Sequence, residues 1–278
     1  FYLHPFHQET RHLDQDEYGN TIFRLSDQKR CPFLNSENLC DMHIAIGGEH
    51  TPFTCRTFPR FINDFGALRE MGLSFSCPVA AEMMFDPKYD FSFTEEMNDL
   101  PPTLNDIDAR LYFTLLSARK TAYALVQDST KPLARCLVEL LDFAEELQGQ
   151  IGALPTVTEK MDFRSVFQNP ELINFQWPEK VAAGDLTAPV GESHFGRQIA
   201  MYFLFRYFLN LGLEGDVLSA AKMAVVGVLV PTYFGTDSWV MHLWSKETEH
   251  SDVNMERYRR LLRTADCLSV PALKSRLV

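Results

Sequence analysis

A chain of 278 residues, 46% of them hydrophobic, can build one large or two modest domains around a true core. Its formal net charge of −11 argues against nucleic acid as the main partner, because phosphate binding needs a cationic face. No run approaches the roughly 20 apolar residues of a membrane span; the best candidate, Met223 to Val230, is short and bracketed by Lys222 and Pro231.

The chain starts at Phe1 rather than methionine and shows no signal peptide, so a further segment is expected ahead of it. The first hundred residues read as irregular. Tyr18-Gly19-Asn20 is a turn signal, and Thr21 to Leu25 follows as a short strand. Asn35-Ser36-Glu37-Asn38 is a second turn. Asp41 to Ile46 reads as a short helix with Asp41 as N-cap and Gly47-Gly48 as its stop. Ala67 to Phe75 fits a strand, and Pro78 suits the first turn of a helix reaching Met84. The polar stretch Asp86 to Pro102 reads as a linker, which divides the chain into a cysteine-rich region, residues 1–100, and a helical domain, residues 101–278.

Beyond the linker the apolar period becomes helical. Ile107, Leu111, Leu115 and Leu116 share one face; Leu133, Leu137, Leu140, Leu141 and Ala144 share another, on a helix from Pro132 to about Leu147. Residues 154 to 193 are broken by Pro155, Pro170, Pro178 and Pro189 and predict loops and short helices. The segments His194 to Leu211 and Asp216 to Val230 are apolar nearly all round, as central helices of a bundle are. Ser238 to Lys246, Ser251 to Leu262 and Val270 to Arg276 complete the expected helices. The fold class is therefore mainly α: a bundle-like helical domain with a small irregular cysteine-rich region carrying a few short strands.

Four of the six cysteines, Cys31, Cys40, Cys55 and Cys77, lie in the first 77 residues. Four thiolates are a common ligand set for zinc or an iron–sulfur cluster. Cys31 and Cys77 each precede proline, which stiffens the backbone beside a ligand. Arg56 and Arg60 flank Cys55 and can offset the charge of a thiolate-bound metal. No pair is Cys-x-x-Cys, so the spacing leaves two disulfides or plain buried thiols as the alternative. The metal reading is preferred because the helical remainder looks cytosolic, where thiols stay reduced. His4, His7, His12, His43 and His50 crowd the same region. His43, three residues after Cys40, is the best-placed further ligand; solvated surface histidines are the ordinary alternative. Cys136 lies on an apolar stripe as a core thiol, and Cys267 carries no assigned role.

Two polar features stand out in the helical part. Glu247-Thr248-Glu249-His250-Ser251 holds a Glu-x-x-His pair, which a helix would present on one face and which is suitable general-base equipment. The competing reading is a helix break capped by Ser251 or Asp252. Arg206 interrupts the most apolar helix, and a buried arginine must meet a carboxylate, from the chain or from a ligand. No Gly-x-Gly-x-x-Gly, no phosphate loop and no Gly-x-Ser-x-Gly elbow is present.

The runs Cys31-Pro32-Phe33-Leu34, Asn38-Leu39-Cys40, Thr54-Cys55-Arg56-Thr57-Phe58-Pro59-Arg60 and Leu73-Ser74-Phe75-Ser76-Cys77-Pro78 resemble the flagellin lysine-N-methylases, part of a broader group of cysteine-cluster proteins described as zinc- or iron-chelating. The resemblance continues in Tyr202-Phe203-Leu204-Phe205-Arg206-Tyr207 and Glu249-His250-Ser251, and so spans most of the chain. It implies methyl transfer from S-adenosylmethionine to flagellin lysines in the bacterial cytoplasm. It also implies a cysteine-ligated centre, a [4Fe-4S] cluster in preference to zinc. Members usually carry a further cysteine block with an adjacent Cys-Cys pair ahead of Cys-Pro-Phe-Leu. This sequence lacks it, so the four cysteines present are expected either to be part of a centre that draws further ligands from a preceding segment or to form a second site. On this reading Cys31, Cys40, Cys55 and Cys77 are the metal ligands, and Arg56, Arg60 and Arg206 are the cofactor-binding cations. Glu247, Glu249 and His250 are the candidate catalytic groups. The alternative is a non-enzymatic zinc- or iron-binding module, or a protein that docks onto flagellin; a third is a structural zinc site beneath an unrelated helical binder.

Overall fold

The computed structural model describes residues 12–15, 19, 21–28, 30–97, 99, 101–102, 106–152 and 158–278. His4, His7, Pro155 and the flanks of the first expected turn, Tyr18 and Asn20, lie outside them. Among the described residues the protein is mainly helical, with eleven helices and two small antiparallel sheets of two strands each. Contacts divide the chain into two compact units, one ending at Phe58 and the other running from Pro59 to Val278. The division therefore falls well before the acidic stretch at which the sequence suggested a boundary near residue 100.

In the first unit, β1 (Leu13–Gln15) and β2 (Thr21–Phe23) pair antiparallel. Phe33 is buried and meets Phe23 edge-to-face, with ring centroids 4.9 Å apart. Three short turns of helix follow: α1 (Asp41–Ile46), a 3₁₀ turn at Gly48–His50, and α2 (Phe53–Thr57). Cys40, not Asp41, caps α1, and Gly47 closes it at φ 82, a backbone state that suits glycine.

The second unit opens with a hairpin, β3 (Arg60–Phe65) and β4 (Leu68–Leu73), in the register Arg60↔Leu73 to Phe65↔Leu68. Phe61 and Phe65 pack against the helical core, while their neighbours in the strand face outward, as a two-residue period requires. The helices are α3 (Pro78–Phe85), α4 (Ala109–Gln127), α5 (Leu133–Ile151), α6 (Gln176–Ala183), α7 (His194–Leu213), α8 (Val217–Phe234), α9 (Ser238–Glu249), α10 (Asp252–Thr264) and α11 (Val270–Leu277). The antiparallel pair α7 and α8 forms the centre; α4 lies on α7 and α5 on α8, while α3 and α10 pack on α9.

Side chains explain this order. α5 has one apolar stripe and buries Leu133, Leu137, Leu140, Leu141 and Ala144, each fully buried leucine contributing about 1.5–3 kcal/mol. α7 and α8 are apolar around their whole circumference and are covered on every side. Gly227 of α8 lets α7 come close, since a Cβ there would sit 2.5 Å from the Phe203 ring. α8 is long and apolar enough to cross a membrane by length and composition, with 18 residues and a mean hydropathy of 1.7; 89% of that window is buried inside the unit. The short run Met223 to Val230 underestimated it because the helix continues through Pro231 to Phe234.

Candidate functional site

The cysteine loop of the first unit is built by its turns. Leu34 and Cys40 form an antiparallel bridge, which closes the chain between Cys31 and Cys40. Asn35 Oδ1 accepts the amides of Glu37 and Leu39, 3.0 Å each, and Asn38 takes φ 62. The amide of Asn35 bonds Leu39 O at 2.9 Å. Cys40 Sγ accepts the His43 amide at 3.4 Å, so this thiol already terminates a helix. Cys55 lies exposed on α2. Burial, then the neighbouring Cys31 and Cys40, pushes the Cys55 thiol above its ordinary pKa. A cleft of about 330 Å³ opens beside it, lined by His43, Gly48, Glu49, Thr51, Cys55 and Arg56. Arg56 donates to the Glu49 carbonyl at 3.2 Å.

The donor chemistry suits a thiophilic metal, since Cys31, Cys40 and Cys55 are free thiols in one unit and close enough to influence one another. The placement does not complete a site: among the described residues no group of three or more His, Cys, Asp or Glu is arranged to hold a metal ion. Cys77 and Arg60 belong to the second unit. Cys77 is the N-cap residue of α3, with its amide on Ser74 O at 3.1 Å, and Arg60 opens β3 as an exposed residue. Cys136 is a fully buried core thiol, 3.6 Å from the Arg197 guanidinium.

The second unit gathers the other sequence candidates. Arg206 of α7 meets Glu249 of α9 at 3.1 Å, with the two side chains 13% and 1% exposed. Tyr202, one turn earlier, and Tyr207 donate to the same carboxylate, and Ser245, one turn before Glu249, does so as well. Arg206 Nη1 also donates to Ser74 Oγ at 3.2 Å, and its guanidinium lies over the Phe61 ring at 4.5 Å. Burial opposes the arginine's charge, yet Glu249, Tyr202 and Tyr207 hold its pKa above the ordinary value. Burial pushes both tyrosines well up, so both hydroxyls stay protonated donors.

His250 stands at the edge of this network. It is exposed as a residue, yet its Nε2 reaches Ser74 Oγ at 3.4 Å. Crowding around the ring lowers its pKa: burial first, then Arg206 and Lys246, against the opposing pull of Glu249. The structure thus joins Arg206, Glu249 and His250. Glu247 goes elsewhere, because α9 ends at Glu249 and His250 is its C-cap. The Glu247 carboxylate accepts the amides of Ile173 and Asn174 at 3.0 and 2.8 Å. The capping alternative holds alongside it: Ser251 caps α10 by accepting the Asn254 amide at 3.1 Å.

Ser74, Ser76 and Ser245 are the members that sequence reasoning missed. Ser74 and Ser76 carry one indirect signal, alternation with Leu73 and Phe75 in a mostly apolar run, and Ser245, beside Lys246 and Glu247, carries none. No family model, no curated protein and no solved structure matches this chain.

Proposed function

We propose that this chain is a protein-lysine N-methyltransferase that carries methyl groups from S-adenosylmethionine to lysine side chains of flagellin. The observation that supports it most is the meeting of Arg206, Glu249 and His250 in one polar junction. Those residues were picked from the sequence with the cysteine blocks that resemble the flagellin methylases. The reaction needs a base, because a free lysine has a pKa of about 10.4 and its ammonium has no lone pair. On this reading His250, biased toward its neutral form by crowding, takes a proton from the lysine ammonium. The freed amine nitrogen attacks the donor's methyl carbon; the N–C bond forms as the S–C bond breaks, and the sulfonium leaves as a neutral thioether. Arg206, Tyr202, Tyr207 and Ser245 hold the Glu249 charge that steadies the imidazolium.

The cysteine loop is assigned, by its donor chemistry, to a thiolate-held centre, a [4Fe-4S] cluster ahead of zinc. Cys31, Cys40 and Cys55 are its thiols in this unit, and no step of the reaction is routed through it. The test is methyl incorporation from labelled S-adenosylmethionine into purified flagellin, with iron, zinc and sulfide measured on anaerobically purified protein. His250→Gln is expected to lower the rate about 10²–10⁴-fold with the fold retained. An unchanged rate removes His250 from the chemistry, and no methylation by protein with a full metal complement refutes the enzymatic reading.

One observation favours a second reading, a non-enzymatic metal-binding or flagellin-docking module: Glu249 is sealed from solvent and saturated with donors. The same assay separates the two, since a module binds flagellin or metal without transferring methyl groups.

A further inference from the structure

Residues Tyr89 to Phe93 take neither helix nor strand and lie against α7 and α4 as a strap. Gln198 of α7, a buried side chain, reads the strap's backbone: its Oε1 accepts the Phe91 amide at 2.7 Å. Its Nε2 lies 3.3 Å from Asp90 Oδ1 and 3.5 Å from His194 Nε2. His194 Nε2 faces the Tyr89 carbonyl at 3.1 Å, and Nδ1 lies 3.9 Å from Asp90 Oδ1. A carbonyl only accepts, so His194 Nε2 carries the proton there and Gln198 Nε2 donates to Asp90. Two rings complete the hold. Phe91 packs on Phe205 at 6.1 Å between centroids, and Phe93 rests on Tyr123 at 5.1 Å and on Phe205 at 5.3 Å. Phe93 is nevertheless 52% exposed. Tyr123, whose ring Phe93 touches, has a buried hydroxyl without a hydrogen-bond partner. Folded proteins satisfy nearly all such groups, so the strap leaves a polar atom of its own seat unmet.

We propose that Tyr89–Phe93 is a displaceable occupant of a peptide-docking seat between α4 and α7, and that the seat takes an external segment with two aromatic side chains two residues apart. What the seat requires is read from what fills it. Gln198 recognises a main-chain amide, which every residue but proline offers. Phe205 and Tyr123 recognise the ring two residues further on. Rings on alternate residues of an extended chain share one face, and Phe91 and Phe93 meet edge-to-face at 5.2 Å. Among the described residues no strand pairs with the strap, and one of its two rings is half in water. Segments held in that way open while the core stays closed. This inference does not rest on the methyltransferase reading.

The probe is a fluorescently labelled peptide of the strap's own sequence, Asp86 to Met97, added to the full chain. A tethered strap competes at an effective concentration of about millimolar, so wild-type protein is expected to bind the peptide weakly. Phe91→Ala with Phe93→Ala empties the seat from within, and binding is expected to tighten about tenfold or more as that competition is lost. Gln198→Ala added to this variant is expected to weaken binding again about fivefold, the equivalent of one hydrogen bond. A peptide with both phenylalanines replaced by alanine is expected not to bind. Binding by the emptied variant no tighter than by the wild type, or equal binding of the phenylalanine-free peptide, overturns the proposal. If the emptied variant does not fold, the wild type decides. In ¹⁵N-labelled protein, unlabelled peptide in excess of the tether's roughly millimolar concentration is expected to speed hydrogen exchange at the Phe91 amide as the strap is displaced. An exchange rate that the peptide leaves unchanged overturns the proposal.

Discussion

The guanidinium of Arg206 and the carboxylate of Glu249 lie 3.1 Å apart between α7 and α9, with the carboxylate 1% exposed. Removing one partner of such a pair strands the other charge away from water, and that cost exceeds the value of the pair itself. Glu249→Ala is therefore expected to destabilise the protein by about 3–5 kcal/mol. Replacing both residues together, Arg206→Met with Glu249→Leu, is expected to recover much of that loss. Urea unfolding of the wild type and the two variants checks it; a double variant less stable than Glu249→Ala alone rejects the account.

Much of this architecture could be read from residue patterns, and the exceptions share a cause. α7 and α8 announced themselves by apolar residues on every face, and α5 by its leucine stripe. Pro231 read as a stop because it cannot donate to the ladder, yet packing around α8 carries the helix on to Phe234. β3 escaped notice because Asn63 interrupts its inward face; its amide is satisfied by the Arg206 carbonyl at 2.9 Å, from a residue 143 positions away. Arg206 could be flagged from its apolar helix, but no local pattern says that its carboxylate is Glu249 rather than Glu247. The Glu-x-x-His pair failed as a helical face because α9 ends between its two members. Cysteine spacing put Cys31, Cys40, Cys55 and Cys77 in one set, but a spacing rule cannot show that Cys77 belongs to the other compact unit.

Glu247 tests the difference between a catalytic and a structural carboxylate. Its oxygens hold two backbone amides of the segment before α6, and Asn254 pins the same segment through Glu171 O at 2.9 Å. Glu247→Ala leaves two part-buried amides without their acceptor, which costs about 1–3 kcal/mol. The expected outcome is a lower unfolding midpoint in urea with methyl-transfer rate per folded molecule unchanged. A variant of full stability and lost activity would return Glu247 to the chemistry.

A second buried pair ties the hairpin to the bundle. Arg119 of α4 grips Glu70 of β4 through both terminal nitrogens, and its guanidinium lies over Tyr123 and Phe205 at 5.6 and 5.9 Å. Lysine keeps the charge but loses the two-pronged bond and the stacking. Arg119→Lys should therefore cost about 1.5–3 kcal/mol, the value of a hydrogen bond to a charged group. Thermal and urea unfolding measure it, and a loss below experimental error would show that the planar fork is dispensable.

Acid should weaken the fold through two histidines of the α9 region. Burial lowers the pKa of His242, helped by Lys246, and of His250, helped by Arg206 and Lys246. His242 is also 6% exposed, with Nδ1 buried and unbonded. Both groups bind protons less readily folded than unfolded, where histidine titrates near 6.5. Their contribution is therefore complete above about pH 6.5 and is lost as pH falls through the lowered folded values. Urea unfolding between pH 7.5 and 5 should show stability declining toward acid. Carboxylates contribute to that slope as well, so His242→Asn paired with His250→Gln provides the control. The doubly substituted protein should decline less steeply between pH 6.5 and 5, and a slope equal to the wild type would take both imidazoles out of the acid response.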